Sequence, residues 1–315
     1  MATAEVINAI QAVRSDDIII AFMGPTGSGK SYFIDLLTGQ LGRSSQRSGS
    51  ALKSVTNHVQ ATRVKHSKYG DRLVLVDTPG FDDTSRSDME ILMMISEWLQ
   101  KTYERDVRLS GLIYLHRITD NRMAGSPLKN LRMFGELCGD VAMNKVILVS
   151  NMWQKVKPEV GVARESELRD KFWKILLDKG SRVDRLGNAE PKEAWRIIEQ
   201  LVKQKDDRGV VLLQEELVEL EKKLNETQAG KTLYTALQKA LDSQREALKS
   251  LLAQLENSSD PALTKELKKE QQKIEREFQK TFDEVKRLKV PFGRRILAFF
   301  FGKRARAKGV KVANS

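Results

Sequence analysis

Eight consecutive residues, Gly24-Pro25-Thr26-Gly27-Ser28-Gly29-Lys30-Ser31, carry the chemistry most easily read from this chain. Glycines at this spacing let a backbone wrap an anion with its N–H groups pointing inward. A helix beginning at the last residues adds the positive end of its dipole. The pattern GxxxxGKS is that of a phosphate-binding loop: Lys30 reaches the β- and γ-phosphates, and the Ser31 hydroxyl is suited to Mg2+. Tyr32 follows directly and completes the loop side of the predicted site. A second motif, Asp77-Thr-Pro-Gly80, lies 47 residues after Lys30. Its aspartate can hold a water on Mg2+, and the Gly80 amide can bond a γ-phosphate and register its loss. Lys30 and Gly80 are thus predicted catalytic groups, with Ser31 and Asp77 as metal ligands.

These motifs need strands and helices to hold them. Four short apolar runs, Ile18–Met23, Leu73–Val76, Leu112–Leu115 and Val146–Val149, read as buried parallel strands. Helical patterns separate them at Tyr32–Thr38, Asp88–Tyr103 and Leu128–Leu137. The alternation predicts an α/β, three-layer P-loop nucleoside-triphosphatase domain with a mainly parallel sheet. We place it at residues 16–205, after an N-terminal helix over 1–15. Beyond Lys205 the composition turns to Glu, Lys, Leu and Gln, predicting a helical extension over 206–290. Leu213, Leu220, Tyr234, Leu241, Leu248 and Leu255 share one seven-residue register. Asp260-Pro261 then restarts a second helix, so the extension reads as a hairpin, with a dimeric coiled coil as its rival.

The net charge of +12 belongs to the end of the chain. Residues 285–315 hold ten Lys or Arg and no Asp or Glu, which leaves +2 for the remainder. Within this tail, Ile296–Phe301 forms an apolar core between two basic clusters. It is too short to span a bilayer but suits a helix lying on an anionic membrane surface through residues 291–311. A nuclear-localisation or nucleic-acid arm is the alternative reading, less favoured because nothing polar separates Phe299, Phe300 and Phe301. One cysteine, Cys138, excludes a disulfide framework, and three histidines make a catalytic metal cage improbable. The N-terminus has no signal-peptide pattern, so a cytoplasmic, peripherally membrane-bound protein is expected.

GPTGSGKS, Ser54-Val-Thr56 and DTPGF together resemble the septin, Toc and immune-associated (GIMAP/AIG-like) branch of P-loop GTPases. The segment Leu109–Asp140 resembles the apolar box of that branch, and the phrases YLHRI and NMW resemble those of uncharacterised fungal G-domain proteins. The resemblance covers roughly residues 16–200. It implies GTP and GDP as ligands, Mg2+ as cofactor, and Thr56 as the switch threonine that closes on the metal; Thr62 is the alternative.

Two departures from the GTPase pattern stand out. Many GTPases read guanine with Asn/Thr-Lys-x-Asp after a strand, whereas here Ser150-Asn151-Met152-Trp153 follows Val146–Val149. In this alignment Trp153 occupies the aspartate position; Asn151 is the candidate for a base hydrogen bond and Trp153 for stacking or capping the strand. Asp184–Asn188 reads either as a second base-contacting loop, with Asn188 as candidate, or as a plain turn. The other departure is Phe81, which stands where a water-orienting glutamine would follow the DxxG glycine. Asp82 and Asp83 are read as caps of the next helix. Slow hydrolysis follows, accelerated by a homodimer across the nucleotide face or by a partner, with His58 as a candidate group acting in trans. A scaffold that binds nucleotide without turning it over, or an ATP-binding P-loop protein, are the other readings.

Overall fold

The computed structural model describes residues 3–7, 12–40, 58–83, 86–105, 107, 109–123, 126–202, 226–257 and 261–288. Thr56, the polar stretch Gly42–Ser50, the segment 203–225 and the basic tail 291–315 lie outside them. The chain divides into two compact units, residues 1–221 and 222–315.

The first unit is built on a seven-stranded sheet: β1 (Thr3–Ile7), β2 (Ile18–Met23), β3 (Gln60–His66), β4 (Gly70–Asp77), β5 (Gly111–Arg117), β6 (Val146–Asn151) and β7 (Arg182–Arg185). Their order across the sheet is β1-β3-β4-β2-β5-β6-β7. β4, β2, β5, β6 and β7 run parallel, whereas β3 is antiparallel to β4 and β1 to β3. The four strands expected from apolar runs are thus the central ones, buried on both faces. β1 corrects the predicted N-terminal helix: five residues of that stretch pair antiparallel with the edge of β3. β3, Gln-Ala-Thr-Arg-Val-Lys-His, carries no apolar run to find and joins β4 antiparallel through the tight turn Ser67–Tyr69.

Among the described residues of this unit the α-helices are α1 (Lys30–Thr38), α2 (Asp88–Tyr103), α3 (Ser126–Cys138), α4 (Pro158–Glu167), α5 (Lys174–Asp178) and α6 (Pro191–Val202). Phe33, Leu36 and Leu37 of α1 and Ala194, Ile197, Ile198 and Leu201 of α6 pack with Ile20, Phe22, Ile113, Leu115, Ile147 and Val149 on one sheet face. Alternate residues of β5 face the other way: Tyr114 packs on Phe134 of α3 at 4.8 Å, and His116 on Trp173 at 6.0 Å. Helices therefore cover both faces, as a parallel sheet requires. A single π-helical turn, Leu168–Phe172, connects α4 to Trp173. α2 starts with a capping box: Ser87 Oγ accepts from the Glu90 amide, and the Glu90 carboxylate accepts from the Ser87 amide. Ser87, rather than Asp82 or Asp83, is therefore the cap. Asp82 has φ 62° and donates its amide to the Asp88 carboxylate.

The second unit holds α7 (Gln228–Asn257) and α8 (Pro261–Leu288), which pack on each other as a hairpin. Thr227 Oγ1 accepts the Gly230 amide at the start of α7. Leu237, Gln244 and Leu251 occupy successive seam positions, and Gln244 donates to Thr281 Oγ1 at 3.4 Å across the hairpin. The expected register is half-buried too, at Tyr234, Leu241, Leu248 and Leu255, so the two rows alternate at three- and four-residue spacing along α7. Among the described residues no helix is long and apolar enough to cross a membrane.

One buried ion pair ties the strands that precede the site. Both guanidinium nitrogens of Arg63 donate to Asp17 at 2.6 and 2.8 Å, and the same group caps the carbonyls of Ala12 and Asp71. The Asp17 side chain is fully buried. Removing one partner strands the other charge, which typically costs about 3–5 kcal/mol. Arg63→Met is expected to lower the urea midpoint of the domain by a corresponding amount; an unchanged midpoint would show that the pair contributes nothing.

Candidate functional site

The carboxyl ends of β4, β2, β5, β6 and β7 form one edge of the sheet, and the phosphate loop, the DTPG turn and the loops after Asn151 and Arg185 leave from it. β2 is the strand at which the order turns: the chain reaches β4 on one side through β3 and β5 on the other. Ligands of open α/β sheets bind at such a point.

The loop Gly24–Gly29 follows β2 and opens directly into α1. It is fixed from two sides. Toward β4, the Thr26 amide donates to the Phe81 carbonyl at 3.0 Å and Thr26 Oγ1 donates to the Gly80 carbonyl at 3.1 Å. The approach is so close that a Cβ on Gly80 would stand 2.5 Å from the Thr26 nitrogen. Toward β6, Asn151 Nδ2 donates to the Ser28 carbonyl at 3.2 Å. Gly29, with φ 92°, lies so near that a Cβ there would meet Asn151 Nδ2 at 2.5 Å.

Lys30 is buried, and its Nζ donates to the carbonyls of Gly24 at 2.9 Å and Pro25 at 3.0 Å. Burial pulls its pKa down to about 8, opposed by the carboxylates of Asp77 and Asp83. The Ser31 hydroxyl donates to Asp77 Oδ2 at 2.6 Å, so the two predicted metal ligands converge although 46 residues separate them. A hydroxyl beside a carboxylate is a hard oxygen donor pair. It fits Mg2+, which keeps several waters and takes few protein ligands when phosphates supply the rest. Tyr32 is partly exposed on the first turn of α1.

Phe81 is buried at 1% exposure, with its carbonyl committed to Thr26. It serves as a strut between the Gly24–Gly29 loop and the DTPG turn, and its side chain offers nothing to a water molecule. Thr62, the alternative switch threonine, sits inside β3 opposite Leu75 and is 8% exposed. The ladder holds it there, so it is not a mobile metal ligand. His58 is exposed just ahead of β3.

The base-reading region requires a correction. Asn151, buried at 2%, donates to the phosphate loop and accepts the Met152 amide at 2.6 Å. Ser150 instead turns its hydroxyl to Glu165 at 2.6 Å, inside the fold. Asn151 is therefore the asparagine of the Asn-Lys-x-Asp pattern. Met152 takes the lysine position and exposed Gln154, not Trp153, the aspartate position. Trp153 is not free to stack on a base. Its Nε1 donates to Ser150 Oγ, the Arg185 guanidinium lies 3.9 Å from its ring centre, and the ring presses on Gly161 of α4. Arg185 is in turn paired with buried Glu165. The frame was missed because sequence alone does not say which of two adjacent polar residues faces the phosphate loop; a one-residue step along β6 reverses the side.

Asn188 lies in the loop between β7 and α6, exposed, and its amide donates to Glu193 at 2.8 Å. This loop leaves the same sheet edge as Asn151, since Ser150 and Arg185 are register partners. Asp184, by contrast, is held by Arg196 and Gln200 on α6.

Gly29→Ala forces a left-handed φ on alanine and drives its methyl into Asn151. Nucleotide affinity is expected to fall at least about a hundredfold, as read by calorimetry, while the sheet persists by circular dichroism. Unaltered affinity would show that the loop relaxes without loss.

Residues 19–151 match the family model described as 50S ribosome-binding GTPase. No curated protein sequence matches the chain. Solved structures of similar shape include Toc33 from Arabidopsis thaliana in a dimerisation-deficient mutant form, 16% identical, covering 61% of this chain and 86% of that one, with a TM-score of 0.47. Toc33 with Mg2+ and GMPPNP is 16% identical, covering 61% and 87%, with a TM-score of 0.44. The FeoB G-domain from Methanococcus jannaschii is 17% identical, covering 60% and 99%, with a TM-score of 0.35. The segment matched by the family model contains the phosphate loop, the DTPG turn and Asn151, and the fold that holds them is that of a P-loop nucleoside-triphosphatase domain.

Proposed function

We propose that this protein is a GTP-binding switch of the septin, Toc and immune-associated kind, with slow Mg2+-dependent hydrolysis of GTP to GDP and phosphate. The observation that carries the reading is the convergence of Ser31 and Asp77 at 2.6 Å beside buried Lys30, with Gly80 linked through Thr26. These groups belong to the two motifs that clasp a triphosphate and respond to its hydrolysis. Ser31 and Asp77, with Thr56, would hold Mg2+, which when bound neutralises charge developing on the β- and γ-phosphates. Lys30 binds the phosphates by charge, and the Gly24–Gly29 amides fix their position. Gly80 transmits the presence of the γ-phosphate through its contact with Thr26. Asn151 keeps the phosphate loop in register with the base-binding loops, and the Asn188 loop meets the base from the β7 side.

Phe81 supplies no water-orienting group, so hydrolysis is slow in the monomer and faster where a second copy or another protein faces the nucleotide. Gln154 in place of a carboxylate supports the competing reading, an ATP-binding or non-hydrolysing scaffold, because a carboxamide offers one acceptor where guanine presents two donors. Competition of GTP against ATP decides between them. Turnover below about 0.01 per second is expected, abolished by Lys30→Ala and rising with protein concentration. A rate independent of concentration would exclude the homodimer; turnover undiminished in Lys30→Ala would exclude the site.

The tail at 291–311 is proposed to bring the protein to an anionic membrane surface, on the strength of its basic clusters around Ile296–Phe301. Full-length protein is expected to sediment with phosphatidylserine vesicles and a chain ending at residue 290 to stay in the supernatant. Equal sedimentation of both would remove the tail from this role.

A further inference from the structure

The sheet edge orders the nucleotide from one end to the other, and this assigns a place to a residue that neither motif contains. The end of β4 carries Asp77 and Gly80 beside Ser31, which makes it the phosphate and metal side. The ends of β6 and β7 carry Asn151 and the Asn188 loop, which makes them the base side. β5 lies between β2 and β6, so its last residue stands between the two.

That residue is Arg117, the register partner of Asn151. Its Nη1 rests against the phosphate loop, 3.3 Å from where a Cβ on Gly27 would be. Nε is paired with Asp120 at 2.9 Å, and the Asp120 amide returns to the Arg117 carbonyl at 3.1 Å, closing a short turn that fixes the side chain. The side chain is one-third exposed, so the guanidinium is anchored yet open on one side. Arg117 and Asn151 thus flank Gly27, Ser28 and Gly29 from neighbouring strands. At the lysine position of the base-reading pattern stands Met152, which carries no charge.

We propose that Arg117 is a nucleoside-facing cation of this site, supplying from β5 a positive group where Met152 offers none. A planar guanidinium in this place stacks on a purine face and keeps its Nη1 against the phosphate loop. Stacking does not read the base edge, so it strengthens any purine nucleotide and leaves guanine selection to the β6 and β7 loops. The proposal rests on the nucleotide-binding reading above.

The test is calorimetric titration of full-length wild type, Arg117→Ala and Arg117→Lys with GDP, ADP and inorganic pyrophosphate in Mg2+. Arg117→Ala is expected to weaken both nucleotides about tenfold and to leave pyrophosphate unchanged, with Arg117→Lys between the two. Equal losses for nucleotides and pyrophosphate would make Arg117 a strut of the phosphate loop and overturn the proposal. No loss for any ligand, or a loss confined to pyrophosphate, would overturn it as well. Wild type that binds no nucleotide would instead defeat the underlying reading. Should Arg117→Ala not fold, as judged by circular dichroism, Asp120→Asn loosens the guanidinium while keeping its charge. It is expected to weaken GDP about threefold with pyrophosphate again unaffected, and unchanged GDP binding would count against the proposal.

Discussion

The phosphate loop can hold its shape only because both of its flanks are tied down. Six residues rich in glycine have little intrinsic order, and fixing them costs conformational entropy that their own contacts do not offset. The compensation comes from Thr26 bonding to Gly80 and Phe81 on one side and Asn151 bonding to Ser28 on the other. Lys30 closes the loop from within by bonding the Gly24 and Pro25 carbonyls. Every other feature of the site depends on this double fixation. The Ser31–Asp77 convergence requires α1 and β4 in register, and the base side requires β6 to present Asn151 rather than Ser150.

Coupling is built into the same contacts. Gly80 and Phe81 are the segment expected to respond to a γ-phosphate, and they are bonded directly to the loop that would hold it. Phe81 is sequestered in the core, so this segment is suited to relaying a change and unsuited to catalysing one. That division is the physical basis of the slow turnover proposed for the monomer. The edge of the sheet opposite β7 is given to the β1–β3 ladder, which the Arg63–Asp17 pair anchors to the start of β2.

Trp153 shows how a residue with evident ligand-binding character is drawn into the scaffold instead. Its ring joins Arg185, Gly161 and the Ser150–Glu165 bond into one cluster that holds α4 against β6 and β7. Glu165 is charged and buried, and the guanidinium of Arg185 is its compensation. The cluster stiffens the turn after Asn151, where Met152 adopts φ 66°.

The sequence by itself determined the central strands, the phosphate loop, the DTPG turn and the helical character of Gln228–Asn257 and Pro261–Leu288, because each rests on local rules. A strand buried on both faces must be continuously apolar, and a phosphate loop must have its glycines and lysine at fixed spacing. Only the tertiary structure decided the rest. β1 and β3 are made by pairing across the sheet rather than by propensity, which is why five residues of an expected helix became a strand. The cap of α2 fell to Ser87 and not to the nearer aspartates because capping depends on where the first turn begins. The seam of the hairpin was set by the contact of α7 with α8, which brought Gln244 inward. The frame of Asn151, Met152 and Gln154 was settled by which side of β6 meets the phosphate loop, a question about neighbours in space that no local pattern answers.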